Sequence, residues 1–295
     1  MNNPTENEID DLFDRYQKGQ YDEAEKLAKS IIQKYPNHAF SWKVLGAVFK
    51  NTGKLQDSLV ANRKAVELVP TDAAAHNNLG ITLQELLMLD EAEKCYRRAI
   101  DLSPEFSEAH NNLGVTLQER GNLADAEQSY KNTISINADF IQAHYNLGIT
   151  LQELGRFEEA TESYKKAIAI HPNHPDAHYN LGNTYKEFNR LEEAELSYRK
   201  ALELNPNFAN AFNNLGIVLQ EFGKLEESEA CYRKAISMNS EFSEAHSNLG
   251  NILKELLRLD EAEASHQKAI EINPVNAEAY LNLGATLKEQ GKLND

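Results

Sequence analysis

The chain has 295 residues, with 30 Lys and Arg against 46 Asp and Glu and a formal charge of −16 at pH 7. That charge argues against nucleic acid and anionic membrane as partners and weakly favours a basic one. No run of about 18 apolar residues exists, and the polar, acidic opening MNNPTENEIDD has neither the basic nor the apolar region of a secretory signal. No transmembrane helix is expected, and a cytoplasmic location is.

The tripeptide Asn-Leu-Gly recurs at 78–80, 112–114, 146–148, 180–182, 214–216, 248–250 and 282–284, each step 34 residues, with Val44-Leu45-Gly46 as a further copy. A fixed period of this size means stacked supersecondary units, so the whole of 1–295 reads as one elongated array. With the Gly of Asn-Leu-Gly taken as position 8, repeats run 5–38, 39–72, 73–106, 107–140, 141–174, 175–208, 209–242 and 243–276, and a partial one runs 277–295. All 14 glycines then fall at position 8 or position 15, and six of the eight prolines fall at position 32. The two cysteines, Cys95 and Cys231, are 136 residues or four periods apart. That places them far beyond the roughly 7 Å reach of a disulfide, so both are expected as free, packed thiols.

The first repeat departs from the pattern, with Glu8 and Leu12 at positions 4 and 8, as a terminal repeat does when one face meets water. Ile9, Leu12, Phe13 and Tyr16 still make a helical stripe. The regular array opens at Trp42, the only tryptophan, which reads as core. In repeat 141–174, Ala143, Leu147, Gly148 and Leu151 form one apolar helical face. Gly155 ends that helix in a left-handed residue. A second helix starts near Glu158, buries Ala160, Tyr164, Ala167 and Ile168, and stops at Pro172. Capping boxes are expected at the start of second helices, as in Asp90…Glu93 and Asp260…Glu263. Leu87 and Leu257 replace glycine at position 15, where a bulky residue is disfavoured, so those turns are expected either to be reshaped, with leucines exposed to a partner, or to be sequence drift absorbed by local repacking. The ninth unit stops after its first helix, leaving Leu283 and Leu287 partly covered. A natural polypeptide that continues past Asp295, or a capping role for this half-repeat, is the expectation.

His144, Leu147, Gly148, Ala160, Tyr164, Ala167 and Pro172 sit at positions 4, 7, 8, 20, 24, 27 and 32, and the same scheme recurs eight times in register. This pattern resembles the tetratricopeptide repeat (TPR) family. The resemblance implies an all-α fold: a right-handed α-α superhelix, or TPR solenoid, of about eight and a half antiparallel helix pairs. It also implies a concave groove lined by the first helix of each pair, which in the family commonly binds peptides.

Position 6 is Asn78, Asn112, Asn146, Asn180, Asn214, Asn248 and Asn282, while position 5 varies. Asn costs a helix about 0.5–0.7 kcal/mol relative to Ala, so a merely solvated face has cheaper choices. A carboxamide carries donor and acceptor together and can pair with one peptide unit of an extended chain. These seven residues are the candidate peptide-binding ladder; shared ancestry of the repeats is the alternative account of them. The ladder resembles that of the TPR superhelix in O-linked N-acetylglucosamine transferases and in bacterial TPR proteins fused to glycosyl- or sulfotransferase domains. Position 13 is Glu in seven repeats, against the helix dipole, which suits a basic or polar segment. His76, His110, His144, His178 and His246 at position 4 read as packing residues. His171, His174 and His178 lack the further ligands a zinc site needs.

No phosphate loop, nucleophile elbow, cysteine metal motif or dinucleotide fingerprint occurs, so no catalytic residue, cofactor or metal is expected. The expected function is a non-catalytic protein-protein interaction scaffold that binds extended peptide segments through the Asn ladder. It could form the substrate-recruiting part of a larger transferase. The alternative is a self-assembling structural scaffold.

Overall fold

The computed structural model describes residues 3–292. Among them it has seventeen α-helices and no strand. None of these helices is long and apolar enough to cross a membrane. The chain divides into two compact units, Met1–Leu154 and Gly155–Asp295.

In the first unit the helices are α1 (Glu6–Gln17), α2 (Tyr21–Lys34), α3 (Ala39–Asn51), α4 (Leu55–Leu68), α5 (Ala73–Glu85), α6 (Leu89–Leu102), α7 (Ser107–Glu119), α8 (Leu123–Ile136) and α9 (Ile141–Glu153). The second holds α10 (Phe157–Ile170), α11 (Pro175–Glu187), α12 (Leu191–Leu204), α13 (Ala209–Glu221), α14 (Leu225–Met238), α15 (Ser243–Glu255), α16 (Leu259–Ile272) and α17 (Ala277–Glu289). Odd-numbered helices open a repeat and even-numbered ones close it. Within each unit, successive helices pack on one another.

The packing follows from residue size. Ala126 at position 20 and Tyr130 at position 24 are fully buried, and Gly114 at position 8 lies under the tyrosine ring. A methyl on Gly114 would come within 2.6 Å of Tyr130 Cε1. Only a bare backbone lets the ring lie flat there, and the same contact recurs at Gly80–Tyr96, Gly182–Tyr198 and Gly216–Tyr232. Thr82, Thr116, Thr150, Thr184 and Thr286 at position 10 are also fully buried. Their hydroxyls are satisfied by donating to the position-6 carbonyl one turn back.

Position 15 has positive φ in every repeat that reaches it, including Leu87 (59°), Asn189 (55°) and Leu257 (60°). The Leu87 and Leu257 turns are therefore not reshaped. The hydrogen bonds that close the turn hold the left-handed residue in place, and the leucines accept its cost. Leu87→Gly is accordingly expected to stabilise the chain by about 1 kcal/mol. Its side chain is 81% exposed, so little packing is lost. Leu87→Ala, which keeps the strained Cβ, should give no such gain in urea unfolding, and a gain from both would show that exposure rather than φ sets the cost.

The expected capping boxes are not formed. The second helices begin at Leu89 and Leu259, one residue before the acidic pair, so Asp90 and Asp260 lie inside the first turn and cap nothing. The one capping box described is Thr5 with Glu8. The helix ends are instead tied across repeats. Glu25, Glu195, Glu229 and Glu263 at position 21 accept from Lys54, Lys224, Arg258 and Lys292 at position 16 of the next repeat, at 2.7–3.2 Å.

Both cysteines are free thiols. Burial pushes each up to about 11, which keeps them protonated and unreactive.

Candidate functional site

The opening helices of each unit present positions 6, 9, 12 and 13 on one side. The seven ladder residues are all half-exposed: Asn78, Asn112 and Asn146 in the first unit, and Asn180, Asn214, Asn248 and Asn282 in the second. None is a fully buried residue, although Asn282 Nδ2 is closed off from solvent without a hydrogen-bond partner, and all keep one register within their own unit.

Their hydrogen bonds differ. Asn112 Nδ2 donates to Asn77 Oδ1 (3.1 Å) and Asn248 Nδ2 to Asn213 Oδ1 (3.1 Å). Asn214 Nδ2 donates to Tyr179 Oη (3.2 Å) and Asn183 Oδ1 (2.9 Å). Each bond reaches back one repeat, mostly to position 5. At least three of the seven thus join consecutive repeats, a structural task the sequence reading did not assign. The signal was there: position 5 is free in shape, but from Asn77 to Ser247 it is always a hydrogen-bonding residue.

Asn78 and Asn146 are different. Their side chains make no hydrogen bond within the described residues. Before Asn78, position 5 is Lys43, which is paired with Asp72 at 2.7 Å. Beside Asn146, the buried Asn111 Oδ1 is left without a donor. In the first unit, two free carboxamides therefore flank one that is committed to stacking.

A second row runs beside the first. Tyr96 and Tyr130 hydroxyls donate to Gln84 and Gln118 Oε1 (3.0 and 3.1 Å). The amides of those glutamines donate to Glu119 and Glu153 of the following repeat (3.2 and 3.1 Å). Burial pushes the Tyr130 hydroxyl far above its ordinary range, and Glu119 and Glu153 push it further, so it stays a donor. The chain of bonds sets the carboxylates at a fixed spacing on the surface. Among the described residues, none of Glu85, Glu119, Glu153, Glu187, Glu221, Glu255 and Glu289 is in an ion pair, and all seven are exposed.

The histidines are structural. His76, His110, His144, His178 and His246 place Nε2 within 2.8–3.1 Å of a carbonyl six residues back, in the turn between repeats. Trp42 Nε1 donates in the same way to Pro36 O at 2.8 Å. His174 Nδ1 accepts from Ala177 N as a helix cap. No group of three His, Cys, Asp or Glu among the described residues could hold a metal ion.

Against this geometry the comparisons are consistent. Tetratricopeptide repeat profiles match residues 14–38, 73–106, 95–128, 139–207 and 207–272, and a TPR repeat profile matches 258–291. A search of curated proteins finds no match. Among solved structures, the chain is similar to YrrB, described as a TPR protein with an unusual peptide-binding site (22% identity, TM-score 0.56, 64% of this chain and 97% of that one). It is also similar to a chain of the APC/C hetero-tetramer Cut9-Hcn1 (16%, 0.65, 90% of this chain and 52% of that one). A third is pilF of Pseudomonas aeruginosa (19%, 0.64, 74% and 97%). At these identities the likeness concerns the fold. With the family profiles covering most of its length and the position-8 glycine under the position-24 ring in repeat after repeat, the chain belongs to the tetratricopeptide repeat family.

Proposed function

We propose that the helix-opening face of this scaffold captures an extended polypeptide segment, with no catalysis of its own. The observation that carries the reading is the pair of half-exposed, unbonded carboxamides at Asn78 and Asn146. Each can give a donor and an acceptor to one peptide unit, so what they read is backbone. The exposed glutamates at position 13 favour Lys or Arg in the captured segment. YrrB supplies a solved case of this fold with a peptide-binding site. The resemblance to transferase-linked arrays points to recruitment of a protein substrate for an attached or associated enzyme.

The ladder residues that stack repeats and those that are free make the test clean. Asn78→Ala with Asn146→Ala removes two groups that no protein atom uses. It should leave urea unfolding within about 0.5 kcal/mol of wild type. Affinity for peptides selected on the wild-type chain should fall about tenfold or more, measured by calorimetry. Unchanged affinity would remove the ladder from the account. Asn112→Ala should cost stability as well, because it strips Asn77 Oδ1 of its donor.

A further inference from the structure

Along the first unit the opening helices carry three parallel rows. Asn78, Ile81 and Glu85 on α5 are spaced i, i+3 and i+7, so they share one face of the helix. Val115 on α7 and Ile149 on α9 hold the place of Ile81, between the ladder residue of their repeat and its position-13 glutamate. The three aliphatic side chains are half-exposed, and Glu85, Glu119 and Glu153 are exposed. A row of carboxamides, a row of aliphatic side chains and a row of carboxylates therefore run side by side over repeats 73–106, 107–140 and 141–174.

The combination is confined to these repeats. In repeat 39–72 position 9 is Ala47 and position 13 is Asn51, so the acidic row has not begun. In the second unit position 9 alternates, with Asn183 and Asn251 on either side of Ile217. Asn183 is also committed there, its Oδ1 accepting from Tyr198 Oη (2.8 Å) and Asn214 Nδ2 (2.9 Å).

The spacing of the rows selects the conformation of a guest. Helices α5, α7 and α9 pack in succession, with Gln84 bonded to Glu119 and Gln118 to Glu153 across the joins. Helices in such contact lie about 8–10 Å apart. A β-strand covers that distance in about three residues, an odd number, so its side chains would point toward Ile81, away from Val115 and back toward Ile149. A polyproline II chain turns once in three residues and rises about 9 Å in doing so. It therefore brings the same side-chain direction to every repeat. It makes no internal hydrogen bonds, so the peptide units facing Asn78 and Asn146, two turns apart, are free for both carboxamides. A helical guest spends those groups on itself.

We propose that the first unit takes its guest in the polyproline II conformation, with an apolar side chain at every third residue and Lys or Arg among the residues between. The proposal rests on the peptide-capture reading above. Apolar residues at i, i+3 and i+6 lie on Ile81, Val115 and Ile149. The basic residues reach the exposed glutamates alongside, in a chain whose formal charge is −16. Proline fits wherever its missing N–H is not the group a carboxamide needs.

The test is selection of a displayed random-peptide library on the full wild-type chain, with the selected peptides then measured on Val115→Asn. Asparagine already stands at position 9 in repeats 175–208 and 243–276, so the fold accommodates it there. Selected peptides should carry apolar residues with a period of three and Lys or Arg between them. Changing the middle apolar residue to Ser should weaken binding about tenfold on the wild-type chain, and no more than about twofold on Val115→Asn. If that variant loses its helical circular dichroism, Val115→Ala gives the same reading. Peptides without a three-residue apolar period, or a middle residue whose change to Ser costs the same on both chains, overturn the polyproline II guest. Capture stands in that case if binding still depends on Asn78 and Asn146. Failure to obtain any peptide that depends on those two residues overturns capture, and this guest with it.

Discussion

Gly114→Ala is expected to destabilise the chain by about 1–3 kcal/mol, and Gly284→Ala to stabilise it by about 0.5–1 kcal/mol. The two glycines hold the same repeat position and the same helical conformation, so alanine's better helix propensity acts equally at both. What differs is the space above them. At Gly114 the added methyl meets Tyr130 Cε1 at 2.6 Å, and the ring is fully buried with its hydroxyl bonded to Gln118. The ring cannot retreat without breaking that bond, and the packed helix behind it has no slack. At Gly284 nothing lies within 4 Å of the new methyl, so only the propensity gain remains. Urea unfolding followed by circular dichroism reads both. Equal shifts of the same sign would mean that ring packing on position 8 does not hold the repeats together.

The second large effect is a pH dependence at one repeat. His266 stands where five repeats have tyrosine and is fully buried under Gly250, and neither ring nitrogen has a hydrogen-bond partner. Burial, with Lys254 adding to it, pushes its pKa down from 6.5 to about 4. Between those values the unfolded chain takes up a proton that the folded repeat refuses. The neutral histidine therefore contributes fully above pH 6.5. That contribution is lost as pH falls toward 4, at a total of about 3 kcal/mol. In an array of repeats this loss is felt first by α15–α17. His266→Tyr should abolish the slope and raise stability at neutral pH, since the tyrosine ring already fits the same site in five repeats. Hydrogen exchange of α16 amides between pH 4 and 7 checks it. A slope that persists in His266→Tyr would place the titrating group elsewhere.

Much of this was legible in the sequence because a repeat reports each position many times. The two helices of each repeat and the left-handed glycine at position 15 follow from residue size and backbone freedom, which a single repeat displays, whereas the tyrosine ring lying on the position-8 glycine was not read from the sequence. What the sequence hid lies between repeats. The partner of Asn112 is Asn77, 35 residues away, and helical periodicity alone does not say which neighbouring helix a short carboxamide reaches. The Leu87 and Leu257 turns were misjudged because the cost of φ near 60° was weighed without the hydrogen bonds that surround it. The capping boxes failed by a one-residue offset in helix start.

The ladder therefore divides into residues that build the stack and residues left for a guest, and the central claim concerns the latter. A crystal structure of the full chain bound to a selected peptide tests it most directly. The account predicts an extended segment along the opening helices, with main-chain N–H and C=O groups paired to the side chains of Asn78 and Asn146. A peptide held on the closing helices, or one that leaves both carboxamides in water, would contradict it.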